Sequence, residues 1–110
     1  MSYRILPTKR FKTRLESALT YISLDLANPI AAKTLLDAVK NTFSLLANTP
    51  FAFPEEEDMK KRTGVAVRKV PVRNYRIYYT VDEQNQIVYP QTFVHSSQDT
   101  ARLDFDEPIN

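Results

Sequence analysis

The spacing of apolar residues changes period twice along the chain. Residues 2–6, SYRIL, form a short mixed run that Pro7 ends, which predicts an opening strand. From Thr8 the period lengthens: Phe11, Leu15, Ala18, Ile22 and Leu26 recur at three- and four-residue steps, with Lys12, Arg14, Glu16 and Asp25 between them. That spacing predicts an amphipathic helix. Asn28 and Pro29 then make a junction, since Asn is a good N-cap and Pro suits the first helical position, where its missing N–H is not needed. A second helix is predicted over 29–47, with a stripe of Ala32, Leu35, Leu36, Val39, Phe43 and Leu46, stopped by Asn48, Thr49 and Pro50.

Beyond the apolar loop 51–54 the period shortens to two. Strands are predicted at 65–70, 75–81 and 86–95, with 82–85 as a hairpin turn. Pro71 and Pro90 cannot donate to a ladder and mark edge positions or bulges. The order is strand, helix, helix and three strands joined by short turns. It predicts an α+β fold in which a helical hairpin covers one face of a mostly antiparallel sheet. Tyr75, Ile77, Tyr79 and Val81 are expected beneath the hairpin, and Arg76 and Tyr78 on an open face.

With 110 residues and 43% hydrophobic content, the chain suits one compact domain, read as 1–98 with an acidic tail at 99–110. It has no cysteine, which excludes disulfides and thiol catalysis, and no apolar run approaching the ~18 residues of a membrane span. These features imply a soluble cytoplasmic protein without membrane partners. The formal net charge of +2 is small, so its distribution matters more than its sum. Lys60, Lys61, Arg62, Arg68, Lys69, Arg73 and Arg76 fall within seventeen residues that hold no acid. Interleaved with Tyr75, Tyr78 and Tyr79, they could hold phosphates and stack bases, or keep a strand edge basic against edge-to-edge pairing. The sole histidine, His95, could give or take a proton near neutral pH, or be an ordinary strand-end residue. The acidic run 55–58 reads as a solvated loop and lacks the alternating ligands of a calcium site, so neither metal nor cofactor is expected. Nucleotide-binding, zinc-hydrolase and serine-esterase motifs are missing.

The stretch LESALTYISLDLANPIAAKTLLDAVKNTFSLLANTP resembles the helical hairpin of the RelE/ParE toxin superfamily, and VRNYRIYYTVDEQNQIV closing in VHSSQD is similar to the strands after that hairpin. The resemblance implies the toxin of a bacterial type II toxin–antitoxin system, with a cognate antitoxin as partner. RelE-like members cut mRNA on the ribosome, and ParE-like members inhibit DNA gyrase without being nucleases. An inactive member that only binds antitoxin is a further possibility.

Under the ribonuclease reading, which the basic strand pair and the position of His95 favour at this point, Arg76 and Lys69 match catalytic cations and His95 a proton donor or acceptor. RNA-binding roles fall to Arg73, Arg68, Arg62, Lys61 and Tyr78, and Glu57 lies near the general base of YoeB-like toxins. The HSSQD segment is also similar to the HGRRD of ParE-like chains, and Arg76 occurs in both branches.

Overall fold

A computed structural model describes residues 2–97; the acidic segment 99–110 lies outside them. The elements are β1 (Arg4–Ile5), α1 (Lys9–Thr20), a π-helical turn (Tyr21–Asp25), α2 (Pro29–Asn48), α3 (Glu57–Thr63), β2 (Arg68–Val72), β3 (Tyr75–Asp82) and β4 (Ile87–His95). The α+β architecture predicted from the apolar spacing is the one observed.

Local chemistry starts the two long helices. The Thr8 hydroxyl accepts from the Phe11 N–H at 3.1 Å, capping α1, and donates to the Gln91 carbonyl at 2.9 Å, tying that cap to β4. Asn28 caps α2 through the Ala31 N–H at 3.0 Å, with Pro29 at the first helical position. Between the two helices the π-turn inserts an extra residue and rotates the side chains beyond it about the helix axis. Ile22 still packs on the core, but Leu26, expected in the buried stripe, is 55% exposed.

The sheet order is β1-β4-β3-β2, with β1 parallel to β4 and the other pairs antiparallel. Pro71 lies on the edge strand β2, where a missing donor is tolerated. In β4, Tyr79 pairs with Pro90 but Tyr78 pairs with Thr92, which leaves Gln91 as a bulge. Phe11, Leu35, Val39 and Leu46 of the hairpin pack on Val70, Val72, Ile77, Tyr79, Val88 and Phe93.

The opposite face of the sheet is not open, contrary to expectation. The short helix α3 seats Met59 there, against Val67, Tyr78 and Val94. The acids read as a solvated loop supply its start. Glu57 and Asp58 occupy its first turn and Lys60, Lys61 and Arg62 its last, the arrangement that complements the helix dipole. Gly64 ends it at φ +76°, a left-handed conformation that costs glycine little.

Candidate functional site

The basic segment folds into the β2–β3 hairpin, whose two-residue turn holds Arg73 at φ 56° beside Asn74. Three hydrogen bonds stitch this turn to the end of β4. The Asn74 carbonyl accepts from both the backbone N–H and the hydroxyl of Ser96, each at 2.8 Å, and the Ser96 carbonyl accepts from Arg76 Nη2 at 3.1 Å. Arg73, Arg76 and His95 therefore share one end of the sheet. The Arg76 guanidinium also lies 5.9 Å from the centre of the Tyr78 ring.

Register decides which of them share a face. His95 pairs with Tyr75 and Arg76 with Val94. Alternation then sets His95 on the side of Tyr75 and Phe93, and Arg76 on the side of Tyr78 and Val94. Lys69, paired with Tyr78, joins the Arg76 side. The Gln91 bulge causes the separation: with the pairing that holds from Asp82 to Tyr79 continued unbroken, Arg76 would oppose Phe93, and His95 would share its face. The proposed cations and the proposed proton carrier thus lie on opposite sides of the sheet.

The His95 ring is exposed and edge-on to Tyr75, at 5.1 Å and 81°, with Tyr75 stacked flat on Phe93 at 4.7 Å. Its Nδ1 accepts from the Ser97 N–H at 3.2 Å and lies 2.8 Å from the Ser97 hydroxyl. An Nδ1 that accepts a backbone N–H is unprotonated, so the neutral ring carries its proton on Nε2. Burial raises the pKa of the Tyr75 phenol, with the neighbouring Tyr21 adding to the shift.

The remaining candidates disperse. Arg68 is held inward: Nη1 donates to the Phe53 carbonyl, Nη2 lies 3.5 Å from Glu55, and the guanidinium sits 5.1 Å from the centre of the Phe51 ring. That arrangement pins the loop before α3 and leaves the side chain 16% exposed. Lys69 pairs with Glu56 at 3.5 Å. Lys61 and Arg62 are exposed on the last turn of α3, and Glu57 on its first. Tyr78 is 1% exposed, so the ring expected to stack bases is part of the small core under α3. Glu55 and Glu56, as partners of basic residues, were not singled out from sequence, and the only hint was their closeness to a basic run. Among the described residues no cluster of three His, Asp or Glu side chains is arranged to hold a metal ion.

A helical hairpin covering one face of a four-stranded, mostly antiparallel sheet, with a basic strand pair at one edge, defines a small α+β domain. In agreement, two solved structures share the fold. One is the toxin–antitoxin complex RelBE2 from Mycobacterium tuberculosis, at 16% identity and TM-score 0.59, covering 86% of this chain and 99% of that one. The other is a mutant of the E. coli toxin RelE in the free state, at 16% identity and TM-score 0.57, covering 87% and 85%. No curated protein matches the sequence. The family model of the ParE toxin of the type II toxin–antitoxin system parDE matches residues 5–100, and the chain belongs to that family, within the RelE/ParE superfamily.

Proposed function

We propose that this toxin arrests growth by binding and inhibiting DNA gyrase in the cytoplasm, without cutting RNA, and that a cognate antitoxin restrains it. The observation that carries this reading is the placement of His95 and Arg76 on opposite faces of the sheet. Phosphodiester cleavage needs a proton carrier within hydrogen-bond reach of the reacting oxygen and cations beside the same phosphate. Side chains that leave a sheet in opposite directions do not meet around one phosphorus. Charge pairing points the same way. Arg68, Lys60 and Lys69 are engaged by Glu55 and Glu56, which lowers the number of phosphate contacts left for a ribosomal site. The antitoxin is inferred from family membership and from the similarity to RelBE2, which was solved as a toxin–antitoxin complex.

The test is a supercoiling reaction with purified gyrase, relaxed plasmid and the purified chain, in the absence of ribosomes. Inhibition that rises with toxin concentration supports the reading, and full supercoiling at saturating toxin rejects it. Ribosome-dependent mRNA cleavage is the second reading, favoured by the gathering of Arg73, Arg76 and His95 at one end of the sheet. It requires new 5′ ends on a translated mRNA that disappear with Arg76→Ala.

A further inference from the structure

The tip of the helical hairpin is apolar and bare. Tyr21 is 51% exposed, Leu24 71%, Leu26 55% and Ile30 78%, so four of the seven large exposed hydrophobic residues among the described residues lie within ten positions. Asp25 is the only charged residue between Glu16 and Lys33. Beside the tip, α1, the π-turn and α2 line a shallow, open groove of about 420 Å³, where Leu19, Leu24, Ala32 and Leu36 are joined by Thr20, Ser23 and Lys33.

We propose that this tip is the contact surface for a second copy of the chain, forming a two-fold symmetric dimer. The area matches. The four residues expose on the order of 500 Å², toward the top of the ~300–600 Å² usual for the largest patch on a monomer. It is also close to the apolar share, ~60% of ~800 Å², of one side of a standard interface. The surface offers both halves of an apolar pairing. A two-fold contact requires each copy to supply both halves of every pairing. Here Ile30, 78% exposed, and the apolar groove occupy the same end of the hairpin, while Lys33 is already paired with Asp37 of its own helix at 3.1 Å. Ile30 of each copy enters the groove of the other.

The test is sedimentation equilibrium of the purified full chain from low to high micromolar concentration, with Leu24→Asp and Ile30→Asp beside wild type. Both substitutions fall on exposed positions, so circular dichroism and a urea midpoint check that the fold is intact. Leu45→Asp, an exposed leucine at the other end of α2, is the control. The expected result is a mass rising from 12.7 kDa toward twice that value, with each tip variant weakening association about ten- to a hundred-fold, as for loss of a central anchor, and the control unchanged. A monomer at every concentration overturns the proposal. So does a dimer that the tip variants leave intact, or a monomer whose tip variants lose only antitoxin binding, which would assign the surface to the antitoxin.

Discussion

His95 and Tyr75 face each other across the β3–β4 ladder, imidazole edge against phenol ring at 5.1 Å, while Arg76, one residue further on, stands on the other side of the sheet. This pairing makes His95 a neighbour of the hairpin-side aromatic stack, at a strand end open to solvent. The ring lies on a face that the basic residues Lys69 and Arg76 do not share.

His95→Ala is therefore expected to leave growth arrest intact when the toxin is expressed without antitoxin, and to lower stability by under about 1 kcal/mol, as for an exposed ring that loses one edge contact. Induction on plates at matched protein levels measures the first, and urea unfolding the second. Cells that grow normally while producing folded His95→Ala would return the histidine to the chemistry.

Arg68 and Lys61 belong to the same basic run but not to the same environment. Arg68→Ala removes the hydrogen bond to the Phe53 carbonyl, the Glu55 pair and the Phe51 ring contact, at an expected cost of about 2–3 kcal/mol. Lys61→Ala is expected to stay within about 0.5 kcal/mol of wild type, because its side chain is exposed. Equal urea midpoints for the two variants would show that Arg68 does not hold the loop.

Helix α3 has seven residues, too few to persist without a tertiary anchor, and Met59 is its one buried side chain. Met59→Ala should release it locally. Amide exchange is expected to accelerate across α3 and the segment leading to β2, with β3 and β4 amides still protected. Tyr78→Ala should instead lower global stability by about 3–5 kcal/mol, since that ring joins α3 to the centre of the sheet. Uniform loss of protection in Met59→Ala would mean that α3 unfolds only with the whole domain.

These contrasts mark where the sequence was legible. Thr8, Asn28 and Pro29 announce their helices because capping is local chemistry, and three- and four-residue spacing exposes the hairpin's inner face. The face of His95 was not readable. Pro90 signalled an irregularity in β4, but only the observed register assigns the extra residue to Gln91, and one residue reverses every side chain beyond it. The burial of Tyr78 was hidden for a related reason. Four acids in a row read as a loop, and a helix held by one methionine leaves no periodic stripe. Nor does chain proximity show that Glu55 and Glu56 pair with Arg68 and Lys69 across a bridge to β2.

Alkaline pH should weaken the fold through a buried phenol. The Tyr79 ring is buried in the main core, and its hydroxyl donates to the Pro50 carbonyl at 2.9 Å. Burial, opposed by the nearby Arg68, pushes the phenol from 10.0 up to about 12. An acid whose pKa rises on folding keeps its proton longer in the native state than in the unfolded one. The native state thus binds more protons between these two values, and stability falls as pH rises through them. Below pH 10 this contribution is whole. By pH 12 a loss on the order of 3 kcal/mol is expected, from about 1.4 kcal/mol per pKa unit. Tyr75, also shifted upward by burial, adds in the same direction. Tyr79→Phe should cost about 1–2 kcal/mol at neutral pH, because the Pro50 carbonyl loses its donor, yet its stability should fall less steeply between pH 10 and 12. Urea midpoints of wild type and variant across that range decide the matter, and parallel curves would mean that Tyr79 titrates no differently in the folded chain than in the unfolded one.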